Sequence, residues 1–275
     1  MSELTKRILF ALVAAPVFTG LLWLGDWYFF LLMTVIAIFV QREIVNMIAS
    51  GSQKPCYLSS LLLLIWVLSY PFEFFFLEIA ALIFGLIVVK ETLTGDAGFF
   101  QNISATFFAA LYPAFTFLAI ILIRFGPFEW SGHLFPFDID IFALTFLFVL
   151  MIWGNDVFAY FGGRFLGKKP LAPTISPKKT WEGFYFGFLG GLTALLLLSL
   201  FFNVISDNFW LLVPAIIITG IFGPVGDLAA SKIKRAYQIK DSSTILPGHG
   251  GFFDRFDAMM LSAPVYLVYL HLIVW

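Results

Sequence analysis

The sequence predicts an all-α polytopic membrane protein with about nine transmembrane helices, short loops and an interfacial site on the cytoplasmic side. Apolar residues make up 61% of the 275 positions and charged residues only 12%, whereas soluble domains are about 45–50% apolar. So few charges could not cover the surface of a water-soluble fold of this size. The single cysteine, Cys56, excludes an intramolecular disulfide and a cysteine-based metal cluster. Lipid is therefore the predicted environment of most of the chain.

Nine apolar segments, completed by flanking residues, are long enough to cross a bilayer as helices. Their cores are Ile8–Leu24, Trp27–Val40, Leu58–Tyr70, Phe74–Val89, Ala105–Ile123, Ile141–Tyr160, Gly183–Phe202, Phe209–Leu228 and Ala258–Trp275. The first segment is interpreted as a retained helix rather than a signal peptide, because it is long and lacks a small-residue cleavage site. The third and fourth cores are separated only at Tyr70-Pro71, so eight spans remain an alternative.

The distribution of basic residues predicts the orientation. With nine spans, fifteen of the sixteen Lys and Arg residues fall on one side, and only Arg124 falls on the other. The positive-inside rule makes that side the cytoplasm. We therefore expect a multi-pass protein of the inner (plasma) membrane with a cytoplasmic N-terminus. Three regions are predicted: N-terminal helices over 1–72, middle helices over 73–137 that are a candidate dimer interface, and a C-terminal catalytic region over 138–275.

The most polar stretch runs from Ser231 to Asp257. If the eighth span continues as a helix, Asp227, Ser231, Lys234 and Arg235 lie at i, i+4, i+7 and i+8 and share one face. A carboxylate, a hydroxyl and two cations on one stripe suit a metal-bound polyphosphate. The positive-inside effect alone explains the cations, but not the interleaved aspartates, serine and His-Gly-Gly turn. This stretch is therefore the predicted catalytic segment, at the cytoplasmic membrane surface.

The second half of this stretch begins with His249-Gly250-Gly251. Glycines here would allow a positive φ or a close backbone approach to a ligand, and His249 would either bind a phosphate oxygen or hydrogen-bond the loop backbone. Asp254 and Asp257 lie three residues apart at the entrance of the ninth span. Each would either cap the helix or face the site. Asp227 and Asp254 are candidate magnesium ligands, because Mg²⁺ prefers carboxylate and phosphate oxygens.

A second cytoplasmic segment, 162–182, offers another set of polar groups. Lysines and hydroxyls directly before a helix could bind an anion together with the helix N–H groups. The residues concerned are Ser176, Lys178, Lys179, Thr180 and Glu182, with Asp156 near the end of the sixth span. Taken alone, the segment is better interpreted as a loop with interfacial lysines. The alternative role of Asp156 is as an ion-pair partner of Arg164 or of a lysine.

These motifs resemble those of the phosphatidate cytidylyltransferases, also called CDP-diglyceride synthetases. The resemblance rests on Ser231-x-Ile233-Lys234-Arg235-x4-Lys240-Asp241-x-Ser243-x2-Leu246-Pro247-x-His249-Gly250-Gly251-Phe252-x-Asp254-Arg255-Phe256-Asp257. The upstream blocks Asn155-Asp156…Tyr160…Gly163-Arg164…Gly167-Lys168 and Ser176-Pro177-Lys178-Lys179-Thr180-Trp181-Glu182-Gly183 look like the other characteristic part of that family. The motifs cover about 150 to 275, while 1 to 150 resembles the family in hydropathy alone.

The resemblance implies that CTP and phosphatidate give CDP-diacylglycerol and pyrophosphate, with Mg²⁺ required and K⁺ nearby. It implies that Asp227, Asp254 and Asp257 surround the metal, and that the protein is a homodimer. We expect substrates and membrane lipids as partners, and no nucleic acid. Phosphoryl-type transfer needs mainly positioning and charge neutralisation.

The predicted site residues are then divided among the substrates. Asp227, Asp254, Asp257, Lys234 and Arg235 are the predicted catalytic residues. The triphosphate is assigned to Lys234, Arg235, Lys240 and Arg255, and the lipid phosphate to Lys178 and Lys179; the other predicted substrate-binding residues are Ser231, Asp241, His249, Asp156, Ser176, Thr180 and Glu182. The alternatives are a CTP-dependent enzyme acting on another lipid phosphate or a polyprenol, and a transporter.

Overall fold

The computed structural model describes residues 3–72, 76–94, 98–125, 141–246, 248 and 250–274. The chain forms two compact units. Unit 1 comprises Met1–Ala14, Phe30–Leu118 and Ile233–Phe256, and unit 2 comprises Ala15–Phe29, Ala119–Lys232 and Asp257–Trp275. Each unit is therefore built from separate stretches of sequence rather than from one continuous segment.

A helix lies at each of the nine predicted segments. The helices are α1 (Glu3–Leu24), α2 (Asp26–Ala49), α3 (Tyr57–Leu68), α4 (Phe76–Thr94), α5 (Phe99–Phe125), α6 (Ile141–Leu166), α7 (Trp181–Ser199), α9 (Phe209–Ala236) and α11 (Met259–Val274), with short helices α8 (Asn203–Asp207) and α10 (Phe253–Phe256) between them. A 3₁₀ turn at Tyr70–Phe72 follows α3, so the third and fourth segments form separate helices.

Five of these helices are long and apolar enough to cross a membrane, counted over the residues that the structure describes. They are Trp27–Ala49, Phe99–Phe125, Ile141–Leu166, Trp181–Ser199 and Phe209–Ala236. Shorter apolar helices cover Leu12–Leu24, Tyr57–Leu68 and Met259–Ile273. The helical, multi-pass character is thus confirmed, while the count of nine spans is not and stays a prediction.

A β-hairpin in unit 2 departs from the all-helical prediction. Strand β1 (Pro170–Ala172) pairs antiparallel with β2 (Ser176–Thr180), with Pro170 opposite Thr180. Lys178 and Lys179, which the sequence interpretation placed in a loop, lie on β2 instead. Thr180 ends the strand in extended conformation and caps α7, because its side chain accepts a hydrogen bond from the Gly183 N–H at 3.2 Å. The hairpin thereby fixes the lysine pair relative to the start of α7.

Helices α6 and α7 pack closely in unit 2 because glycines face each other at their crossing. A Cβ placed on Gly154 would lie 2.7 Å from the carbonyl oxygen of Gly190, and one on Gly190 would overlap the carbonyl of Gly154. Both obstacles are backbone atoms, which cannot rotate away. This close approach determines how α6 and α7 present their polar residues to the pocket described below.

Gly190→Ala is therefore expected to destabilise the protein by about 1–3 kcal/mol, because the added methyl forces the two helices apart. The measurement is the thermal unfolding midpoint in detergent. Gly20→Ala is the matched control, because Gly20 is a helical glycine of the same unit and, its own stretch of helix aside, no atom of the described residues lies within 4 Å of its Cβ position. Equal midpoints for both variants would contradict the close-packing argument.

Candidate active site

A pocket in unit 2, the hairpin pocket, collects many of the polar residues predicted from sequence. Its volume is about 390 Å³, within the range of small-molecule sites. It is lined by Asn155, Asp156, Ala159, Tyr160, Gly163, Arg164, Leu171, Lys178, Lys179, Thr180, Gly183, Phe184, Pro224 and Asp227. Three cationic and two acidic side chains thus share one concave surface with hydroxyl and amide groups. That combination suits a phosphate-bearing ligand.

Asp227 and Lys179 form an ion pair within this pocket. Their side chains are 31% and 27% exposed, so both remain accessible to a ligand. Ser231 Oγ donates a hydrogen bond to Asp227 Oδ1 at 3.3 Å, as expected for residues one helical turn apart. The predicted continuation of the helix past Asp227 is confirmed, since α9 extends to Ala236.

Asn155 brings an amide to the pocket that the sequence interpretation did not assign. Its side chain is buried, with 2% exposure, and its Nδ2 has no hydrogen-bond partner among the residues that the structure describes. A Cβ on Gly187 of α7 would lie 2.7 Å from this nitrogen, so the glycine leaves the room that the amide occupies. A buried unsatisfied donor is costly. A polar atom of a bound substrate would remove that cost.

Glu182 and Ser176, two of the binding residues predicted in the segment 162–182, do not line the hairpin pocket. Glu182 accepts hydrogen bonds from the backbone N–H groups of Lys168 and Lys169 at 3.0 and 3.3 Å, which ties the end of α6 to the start of α7. Ser176 pairs with Ala172 across the hairpin. Their observed contacts are structural, and substrate binding by either stays a prediction.

A second polar group, the motif-loop cluster, lies in unit 1 and consists of Glu43, Lys234, Ser242, Ser243 and Asp254. Lys234 Nζ donates to Asp254 Oδ1 at 2.6 Å, and both side chains are largely buried. Asp254 Oδ2 accepts from the Ser242 N–H at 2.9 Å and from the Gly251 N–H at 3.0 Å. Ser242 Oγ lies 3.0 Å from the same oxygen and 2.8 Å from Glu43 Oε2, so the two carboxylates share its single proton. Burial raises the pKa of Asp254, but the Gly251 hydrogen bond and the Lys234 ion pair outweigh it and hold the pKa below its ordinary value.

The glycines of the predicted His-Gly-Gly turn are required by this cluster. Gly250 has a φ of +80°, a conformation that L side chains rarely adopt. A Cβ on Gly251 would overlap Ser242 Oγ and the carboxylate of Glu43. His249 lies outside the described residues, so its predicted role stays a prediction.

The remaining predicted residues of the Ser231–Asp257 stretch do not belong to the motif-loop cluster. Arg235 donates to the carbonyl of Ile239 at 2.8 Å, which satisfies backbone just beyond the end of α9. Lys240, Asp241 and Arg255 are exposed. These residues are accessible to a soluble ligand, and their assignment to the triphosphate stays a prediction.

The two aspartates predicted at the entrance of the ninth span differ in environment. Asp254 belongs to α10, which ends before α11, and accepts a hydrogen bond from Gly251 rather than from the long helix. Asp257 Oδ1 accepts from the Ala258 N–H at 2.8 Å, just before α11 begins. Asp254 therefore belongs to the motif-loop cluster, while the cap role of Asp257 stays a prediction, because a capping side chain accepts from an N–H two or three residues further along the chain. Across the described part of the chain, no three His, Cys, Asp or Glu side chains converge as a metal-binding group.

Glu43 on α2 is a second site residue, after Asn155, to which the sequence interpretation gave no role. Its carboxylate is buried and accepts hydrogen bonds from Ser242, Ser243, Phe252 and Phe253. A signal was present. Ile36, Val40, Glu43 and Met47 follow a 4-3-4 spacing and are all buried. Continuing the apolar face of the second segment beyond its predicted core, which ends at Val40, therefore places a carboxylate on that face.

A family model and one relative match nearly the whole chain, and other relatives match a shorter part of it. A sequence model described as the cytidylyltransferase family matches residues 5–273. A phosphatidate cytidylyltransferase of Bacillus subtilis (strain 168) is 32% identical over 283 aligned residues, which cover 96% of this chain and 96% of that relative. Phosphatidate cytidylyltransferases of Staphylococcus haemolyticus (strain JCSC1435) and Staphylococcus epidermidis (strain ATCC 12228 / FDA PCI 1200) are 48% and 45% identical over 119 and 116 residues, covering 42% of this chain and 44% of each relative. Because the family match spans almost every residue, this chain belongs to the cytidylyltransferase family.

Proposed function

We propose that this chain transfers CMP from CTP to phosphatidate, giving CDP-diacylglycerol and pyrophosphate for phospholipid synthesis. The proposal is supported by the family match over residues 5–273 and by the phosphatidate cytidylyltransferase name of the Bacillus subtilis relative. The observation that carries it is the hairpin pocket, where Lys178, Lys179 and Arg164 lie with two aspartates at a concave surface. Such a site suits the phosphate group of the lipid substrate.

The reaction needs positioning rather than a protein nucleophile. A phosphate oxygen of phosphatidate attacks the α-phosphorus of CTP and forms a new P–O bond. The bond from the α-phosphorus to the bridging oxygen breaks, and pyrophosphate leaves with that electron pair. Lys178 and Lys179 hold the lipid phosphate in this proposal, and Lys234, Arg235, Lys240 and Arg255 hold the triphosphate. Asn155 donates a hydrogen bond to a polar atom of the bound substrate.

Magnesium is the proposed cofactor, and Asp227 is the residue whose surroundings fit it best. Its carboxylate is partly exposed in a pocket that also contains Asp156, and hard oxygen ligands of this kind, completed by water and phosphate, suit Mg²⁺. When bound, the metal neutralises charge on the departing pyrophosphate. Asp254 fits less well, because its side chain is only 6% exposed, against 31% for Asp227, and it already accepts from Lys234 and from the N–H groups of Ser242 and Gly251. Asp257 and a neighbouring K⁺ remain part of the proposal.

Purified protein in detergent with labelled CTP, phosphatidate and Mg²⁺ is expected to form labelled CDP-lipid and pyrophosphate in equal amounts. Removing Mg²⁺ with a chelator should abolish turnover, and omitting K⁺ should lower it. Product formed with a polyprenol or another lipid phosphate, but not with phosphatidate, would refute the substrate assignment. Uptake of a solute into vesicles without nucleotide turnover would favour the transporter instead.

We further propose a homodimer in the inner (plasma) membrane with a cytoplasmic N-terminus. The one-sided distribution of basic residues supports this orientation. Cysteines introduced next to Lys6 and next to Arg124 in a Cys56→Ser background should react with an impermeant reagent from opposite sides of the membrane. Labelling of both from one side would contradict nine spans. Native mass spectrometry of the detergent-solubilised protein tests the dimer.

A further inference from the structure

Glu43 is a carboxylate inside a helix that is long and apolar enough to span a membrane. Its side chain is 1% exposed. Among the described residues, its hydrogen-bond donors are all neutral: two serine hydroxyls and two backbone N–H groups. Ionisable residues within apolar helices are costly and usually serve a specific function. The role of Glu43 should therefore follow from the groups that donate hydrogen bonds to its two oxygens.

The two oxygens of Glu43 fix both ends of residues 242–253, the motif loop. Oε2 accepts from Ser242 Oγ and from the Phe253 N–H, each at 2.8 Å. Oε1 accepts from Ser243 Oγ at 2.6 Å and from the Phe252 N–H at 3.0 Å. Each oxygen thus joins one residue from the start of the loop to one from its end. A neutral amide could not accept all four hydrogen bonds.

Ser242 connects this arrangement to Asp254. Its hydroxyl lies 2.8 Å from Glu43 Oε2 and 3.0 Å from Asp254 Oδ2, and its backbone N–H also donates to Asp254. Stacking of Phe252 on Phe39, with ring centroids 4.9 Å apart, holds the same end of the loop against α2. Glu43 is therefore two hydrogen bonds away from the carboxylate that pairs with Lys234.

We propose that Glu43 is a positioning residue, which fixes the motif loop so that Asp254 and Lys234 take the geometry needed to bind CTP. This rests on the proposed function, because Lys234 and its neighbours are there assigned to the triphosphate. The competing explanation is that Glu43 only stabilises the fold. The two explanations differ in which kinetic constant changes, since loss of folded protein lowers the amount of active enzyme without altering either KM.

Glu43→Gln is the informative variant. The serine hydroxyls can rotate away from an amide nitrogen, but the N–H of Phe252 or Phe253 cannot and would lose its acceptor. We expect the KM for CTP to rise about five- to tenfold while the KM for phosphatidate changes less than about twofold. Hydrogen exchange of the Phe252 and Phe253 amides should become about tenfold faster.

Glu91→Gln is the matched control. Glu91 is a buried carboxylate of the same unit, 5% exposed, and it accepts a hydrogen bond from Asn102 Nδ2 at 2.7 Å rather than from the loop. Its KM for CTP and the exchange of the loop amides should match those of the wild type. A folded Glu43→Gln protein with unchanged KM and unchanged exchange would overturn the proposal.

The same set of variants also covers two other results: a Glu43→Gln protein that does not fold, and a wild type that makes no CDP-lipid. If Glu43→Gln does not fold, Ser243→Ala removes one donor to Oε1 without touching Asp254, and it should shift KM and loop exchange in the same direction by about twofold; no shift overturns the proposal. If the wild type makes no CDP-lipid, the proposed function fails. Loop exchange in Glu43→Gln then still decides whether Glu43 fixes the loop.

Discussion

Asp227→Asn is expected to lower turnover of CTP and phosphatidate by about 10²- to 10³-fold, the loss typical of one preorganised electrostatic group. The carboxylate pairs with Lys179 in the hairpin pocket and accepts a hydrogen bond from Ser231. Without its charge, Lys179 loses the partner that orients it, and the proposed magnesium site loses its best-suited ligand. The half-saturating Mg²⁺ concentration should rise in the same variant.

The thermal unfolding midpoint distinguishes a loss of catalysis in Asp227→Asn from a loss of folded protein. Asp227 and Lys179 are both partly exposed, so the ion pair should contribute no more than about 1 kcal/mol to folding. The thermal midpoint of Asp227→Asn should therefore stay close to that of Asp207→Asn, an exposed aspartate of the same unit outside the pocket. Near-normal turnover in Asp227→Asn would refute a catalytic role and leave the pair as a surface salt bridge.

Lys179→Met distinguishes the two partners of the pair. If Asp227 acts only by orienting Lys179, the two substitutions should give similar losses, and the double variant should be little worse than either. If Asp227 also binds magnesium, only Asp227→Asn should raise the Mg²⁺ requirement. Measuring turnover against Mg²⁺ concentration for the three variants decides between these roles.

The helices were predictable because the length of an apolar segment and the i, i+4 spacing of its residues can be recognised from neighbouring positions in the sequence. The continuation of α9 past Asp227 and the contact of Ser231 with Asp227 followed from the i, i+4 rule. The positive φ of Gly250 followed from its place in a Gly-Gly turn. Each of these features depends on residues that are neighbours in sequence.

Features that depend on distant residues were not predictable in the same way. The hydrogen bonds from the motif loop to Glu43 join positions about 200 apart in sequence, and no local pattern specifies them. The pairing of β1 with β2 was hidden because Ser-Pro-Lys-Lys has little strand character. The count of nine spans stays a prediction for the four other helices, since α1, α3 and α11 contain only shorter apolar helices in the described part of the chain and α4 carries charged residues.

Lys234→Met is expected to cost about 3–5 kcal/mol of stability, because it leaves the carboxylate of Asp254 buried without its counter-charge. The side chains of the pair are only 9% and 6% exposed, so water cannot replace the missing ammonium group. The measurement is the unfolding midpoint in detergent. A midpoint within the range of surface substitutions would contradict the buried character of this pair.

Adding Asp254→Asn to Lys234→Met should recover much of that stability. The asparagine amide is neutral, and its oxygen can still accept from the N–H groups of Ser242 and Gly251 that now bond to the carboxylate. Turnover should not recover, because both charges assigned to the nucleotide site are gone. Recovery of stability without activity would mean that the ion pair serves binding and chemistry, since folding alone tolerates its removal. Recovery of both would show that the pair is structural and that CTP is held by other residues.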